Sequence, residues 1–280
     1  MFIPFDINSG TIKHLLSGKN YSYDTSDVTD FLQKHINRDA IKQSFINGTD
    51  LQDDWFPTEP YDSRFDVFIS HAHADHELVK SFAGYLYQEY GLRSFIDSVY
   101  WGYANDLIDD LNEEYSKVVN PHTKEVTYDY KIGNYLSSNV HAMLAMALMK
   151  MMDCCECLIF IDSTCSLYYL KGVTGTMSPW IYEEMSFAKR LRVNIPDRHK
   201  RKVSVTINEN LKCNTCFLCF SATESHQATF WYKVDRHNFK TLEYTDFSVL
   251  PKGKDGYYML DKWYMKYGID RAIAKAIIND

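Results

Sequence analysis

A chain of 280 residues with 45% hydrophobic and 24% charged residues has a globular composition and enough length to bury a large core. Its net charge of −7 and pI near 5.8 count against nucleic acid as the main partner, because that partner selects for a basic stripe. No stretch reaches the roughly eighteen uncharged apolar residues of a membrane span, and Met-Phe-Ile-Pro-Phe-Asp at the start lacks the basic and apolar regions of a signal peptide. The expected localisation is therefore cytoplasmic, with the seven Cys as reduced thiols.

Residues 1–60 read as a polar N-terminal helical extension, with helical pieces at 11–16 and 28–36. Trp55-Phe-Pro-Thr-Glu-Pro60 cannot continue a helix and reads as a linker. Residues 65–70 form an apolar run that predicts a strand. Residues 75–90 carry Leu78, Phe82, Tyr85 and Leu86 on one helical face, Gly91 supplies a stop, and 92–96 predict a second strand. Strand, helix and strand within about thirty residues imply a right-handed crossover and a parallel pair.

From 97 to 133 the pattern breaks into acidic, aromatic loops with one short helix at 105–115. Residues 135–152 predict a helix that is apolar nearly all round, and Cys157-Leu-Ile-Phe-Ile-Asp162 reads as a central parallel strand. Ser178 is a fitting N-cap and Pro179 a fitting first residue for a helix over 179–192. Short strands are expected at 203–207, 217–220 and 230–234, and a last helix at 257–278. The division that follows is an extension over 1–60, an α/β domain over 61–230 and a C-terminal addition over 231–280 ending in a helix.

On the 179–192 helix, Ile181, Met185, Ala188 and Leu191 make one apolar stripe at about 100° per residue. Glu184 falls within that stripe, one turn from Trp180, whereas Glu183 is expected to point toward water. An inward carboxylate costs free energy unless something polar or cationic meets it, so Glu184 reads either as a functional acid or as a side chain satisfied by a buried partner.

Ser178-Pro-Trp-Ile-Tyr-Glu-Glu184 resembles the signature of the TIR (Toll/interleukin-1 receptor) family, a Trp followed four residues later by a Glu. Arg64-Phe-Asp-Val-Phe-Ile-Ser-His71 resembles the first TIR strand, and Gly91-Leu-Arg-Ser-Phe-Ile-Asp97 the second strand and the start of the BB loop. The resemblance covers about 64–192. It implies a flavodoxin-like parallel sheet with helices on both faces, and cleavage of the nicotinamide–ribose bond of NAD+ with Glu184 as the catalytic carboxylate. It also implies self-association through TIR contacts, and a downstream effector that reads the product, as in the antiphage signalling of stand-alone bacterial (Thoeris-like) TIR proteins. NAD+ is then the substrate, with no cofactor and no metal.

Ser70 and His71 end the first strand and Asp97 the second, where open α/β sheets bind ligands. Asp97 suits ribose hydroxyls, and Trp101 or Trp180 suits the face of a base. All of them read equally as strand-end capping or packing residues. The different-class alternative is a TIR interaction module without catalysis.

His71-Ala-His73-Ala-Asp75-His76 supports a rival reading, since it resembles the zinc-ligand motif of metallo-β-lactamase hydrolases. Glu77 and Leu78 follow where that family has small residues. Cys213-Asn-Thr-Cys216-Phe-Leu-Cys219 leaves a structural zinc open, with His226 as a fourth ligand. No Gly-x-Gly-x-x-Gly or Walker loop is present, which counts against a dehydrogenase or P-loop enzyme.

Overall fold

The computed structural model describes residues 3–23, 36–43, 45–56, 65–170, 172–191, 196, 198, 230–251 and 254–267, apart from the side chains of 99–101. Its strands are β1 (Ile3–Asn8), β2 (Val67–Ser70), β3 (Ser94–Ile96), β4 (Lys117–Val119), β5 (Val126–Tyr128), β6 (Cys157–Asp162), β7 (Tyr168–Leu170), β8 (Val173–Thr176), β9 (Tyr232–Lys233) and β10 (Lys240–Leu242). Its helices are α1 (Ser9–Leu15), α2 (Gly48–Trp55), α3 (His76–Tyr90), α4 (Ser98–Leu111), α5 (Tyr130–Cys154), α6 (Pro179–Ala188) and α7 (Gly256–Lys266).

Five strands form one sheet in the order β10-β1-β6-β2-β3, and every adjacent pair is parallel. Alternation along each strand sends side chains into two separate cores. Val67 and Ile69, Cys157, Ile159 and Ile161, and Phe5 and Ile7 face one core, with residues of α1, α3 and α7. Phe68, Leu158 and Phe160 face the other, with residues of α2, α4, α5 and α6. The molecule is thus a mixed α/β protein with a parallel sheet covered by helices on both faces, compatible with a flavodoxin-like fold.

The connectivity departs from the expected division of the chain. Read as β2, β3 and β6, the sheet begins as a flavodoxin-like sheet does, with the first strand between the second and third. The fourth place is filled by β1, from the segment expected to be a helical extension. β1 pairs along its whole length with β6 and from Phe5 to Ile7 with β10. The last place is filled by β10, from the segment expected as a C-terminal addition. α7 covers this half of the sheet, with Trp263 edge-on to Phe5 at 5.8 Å and Tyr264 stacked on it at 6.0 Å. Both end segments therefore build the sheet that the middle segment was expected to complete alone.

Other differences lie between the strands. Instead of a BB-type loop after β3, α4 begins at Ser98, capped by Asp97, whose Oδ1 accepts the Ser98 N–H at 2.6 Å. The 97–133 stretch holds this helix and the exposed antiparallel hairpin of β4 and β5, and α5 starts earlier than expected. A second small sheet, β7-β8-β9, follows β6. Met146 on α5 is partly exposed, so that helix is apolar toward one side more than all round. The pieces expected at 28–36, 203–207 and 217–220, the Cys213, Cys216 and Cys219 cluster, and the end of the last helix lie largely or wholly outside the described residues. Among the described residues no helix is long and apolar enough to cross a membrane.

Candidate active site

The site lies above β2, the strand at which the connections to left and right diverge, so it occupies the crevice where parallel α/β sheets carry ligands. β2 ends at Ser70 because the apolar run stops there, and the chain turns through a short 3-10 segment (His73–Asp75) into α3. β3 ends at Ile96, which delivers Asp97 next to the tip of β2. Ser178 caps α6 by accepting the Ile181 N–H at 3.3 Å, and the helix brings its second turn over the same spot. Three stretches far apart in sequence therefore meet.

Their side chains make one buried polar cluster. Ser70 Oγ donates to Glu184 Oε2 at 2.5 Å, and His71 Nδ1 stands 2.7 Å from Asp97 Oδ1. Ser70, His71 and Asp97 are fully buried and Glu184 is 1% exposed. The carboxyls of Asp97 and Glu184 reach each other within hydrogen-bonding range. Burial holds both in the protonated direction, Asp97 up to about 7 and Glu184 well above the usual carboxylate range, and the charge of Asp97 pushes Glu184 further. Burial also lowers the proton affinity of His71, against the pull of Glu184 and Asp75, so its ring is neutral.

The tip of β6 closes one side. Ser163 Oγ donates to Asp75 at 2.5 Å and accepts from the backbone N–H groups of Cys165 and Ser166. Ser166 Oγ donates to the Ile161 carbonyl at 2.9 Å. Sequence reasoning passed over Ser163 and Ser166. Their signal was available, because two serines sit directly after the apolar run of β6.

Four of the expected site residues, Ser70, His71, Asp97 and Glu184, are brought together. Trp180 lies one turn before Glu184, half-buried, with its ring 5.7 Å from that of His141 on α5. Trp101 is in the first turns of α4, with its side chain outside the described residues. Glu183, expected toward water, is instead half-buried, and that burial raises its proton affinity to about 7.

The zinc-type histidines diverge. His71 turns inward to Asp97, His76 meets Ser98 Oγ at 2.9 Å, His73 is exposed, and Asp75 is engaged by Ser163. Among the described residues no three His, Cys, Asp or Glu side chains converge as a metal-ligand group. A cavity of about 670 Å³ lies between residues 43–52 and α5, and none of the four clustered residues lines it.

Fold and site together define a parallel α/β protein with a closed pair of carboxyls over the strand tips. No family model, curated protein or solved structure matches the chain.

Proposed function

We propose that the protein is an NAD+ glycohydrolase or cyclase of TIR type, with Glu184 as its catalytic carboxylate. The observation that carries this reading is the buried Ser70–Glu184 contact, since it joins the two segments that resemble the family at the carboxyl end of a parallel sheet. Cleavage of the nicotinamide–ribose bond passes through an oxocarbenium-like state, and a carboxylate fixed in a dry site stabilises the charge that develops on the ribose. Nicotinamide leaves as a neutral pyridine and needs no acid. Asp97 and Ser70 supply partners for the ribose hydroxyls, and the nucleophile that captures the ribose sets the product. Water gives ADP-ribose; an oxygen or ring nitrogen of the same nucleotide gives a cyclic isomer, which a downstream effector would read as an immune signal.

Glu184 is enclosed, so substrate entry on this reading opens the first turn of α4 or the tip of β6. That enclosure is also the observation favouring the second reading, an assembly module that does not turn over NAD+. The test is incubation of the purified protein with NAD+, followed by chromatography for free nicotinamide, over a range of protein concentrations. Turnover is expected, and Glu184→Gln should lower it by about two orders of magnitude or more. Undiminished release by that variant would overturn the role of Glu184, and no release by the wild type at any concentration would favour the assembly module.

A further inference from the structure

We propose that Asp97 is a positioning residue for Glu184: in the closed site the two carboxyls share a single proton, and the place of Asp97 at the start of α4 decides whether Glu184 is a neutral acid or a carboxylate. The geometry leaves little alternative. Glu184 Oε2 accepts from Ser70, and Asp97 Oδ1 accepts from Ser98 N–H and stands against His71. Glu184 Oε1 and Asp97 Oδ2, both buried, have no donor among the described residues. Two ionised carboxylates touching in a dry interior repel strongly, and one proton between these oxygens satisfies both.

Among the described residues, the surrounding groups supply no cation to separate them. From the end of β2 comes His71, which is neutral, and from the turn beyond it Asp75, which is held by Ser163. From α4 come the Ser98 N–H and the positive end of the helix, and α6 adds Glu183, itself partly desolvated. Among the described residues no lysine or arginine is ion-paired with either carboxyl.

The proton is not shared evenly. Asp97 caps a fourteen-residue helix, whose N-terminus favours the anion there. Glu184 accepts only a serine hydroxyl, so it keeps the proton. A neutral Glu184 cannot stabilise an oxocarbenium ion. On the proposed function, displacement of Asp97 with the first turn of α4 releases that proton to solvent and converts Glu184 into the charged form. The inference rests on that function for its catalytic consequence alone; the shared proton stands independently of it.

The test is infrared difference spectroscopy of the full chain, wild type minus E184Q, titrated from about pH 5 to pH 9. A carbonyl band of a buried carboxylic acid is expected at neutral pH, vanishing only above neutrality. In D97N, where an amide donates to Glu184, the band should vanish at least about one pH unit lower, a tenfold loss of proton affinity. No such band in the wild type near pH 6, or an unchanged titration in D97N, would overturn the proposal. Should D97N fail to fold, the wild-type band and its titration decide alone. The acid limb of nicotinamide release should shift with the band. A wild type that shows the band but releases no nicotinamide would sink the NAD+ reading and leave the shared proton intact.

Discussion

Ser70 is the hinge of the site at the scale of single residues. Its hydroxyl is the donor that meets Glu184, and replacing it with alanine leaves Oε2 buried without a partner. Ser70→Ala should therefore cost about 1–3 kcal/mol, read as a lower urea midpoint at unchanged slope. The carboxyls also give stability a pH dependence of determined sign. Burial raises Glu183 from about 4 in the unfolded chain to about 7 and holds the Asp97–Glu184 pair well above the usual carboxylate range. The folded state binds the extra protons, so the contribution of these groups is complete below about pH 4 and is lost as pH climbs through about 7. Thermal scans from pH 5 to pH 8 should show Tm falling, with a shallower fall in E184Q because its amide needs no proton. A wild-type Tm that climbs through this window would count against the buried pair.

Individual elements differ in how well the sequence announced them. β2 and β6 were legible because both are continuous apolar runs buried on two faces, and α3 and α6 because each carries an apolar stripe and a readable terminus in Gly91 or Ser178-Pro179. Glu184 was legible for the same reason, since helical period alone turns it inward. β1 was not. Its Ile3, Phe5 and Ile7 alternate with Pro4, Asp6 and Asn8, but the pattern is short and holds a proline, which argues against a central strand. The strand tolerates Pro4 because it stands opposite β6 only, before the pairing with β10 begins at Phe5. Asp6 is tolerated because Arg236 donates to it at 3.2 Å and to Asp162 at 2.7 Å. β10 offered one buried apolar side chain, Leu242, too little for any pattern.

The role of β1 can be tested directly: Phe5→Ala should remove about 3–5 kcal/mol, seen in chemical denaturation, because Phe5 is fully buried beside Trp263 and Tyr264. A loss below about 1 kcal/mol would mean that the strand is peripheral. The N-terminus of α7 is equally committed. A Cβ on Gly256 would stand 2.4 Å from the Tyr90 carbonyl and 2.7 Å from Leu92, so Gly256→Ala should destabilise by about 1–3 kcal/mol.

For the molecule as a whole, the stretch that carries the family resemblance does not contain its own sheet. A fragment of residues 61–230 keeps β2, β3 and β6 but loses both strands beyond β6 and the helix over Phe5. It should be insoluble or lack a cooperative thermal transition by circular dichroism, whereas the full chain unfolds in one step. A stable, cooperative fragment would restore the division into a central domain with appendages. The polar cluster depends on the same integrity, since β6 stands between β2 and β1 and aligns the tip that Ser163 ties to Asp75.

The position of β1 has a consequence for biosynthesis. This strand leaves the ribosome well before its two neighbours, which are made about 150 and 235 residues later. At ordinary translation speeds of about 5–20 residues per second, its backbone amides and its Phe5 and Ile7 wait for roughly ten seconds or more without a mate. A nascent chain of this kind completes its sheet only after β10 has emerged, and while it waits its unpaired β1 is a target for holdase chaperones.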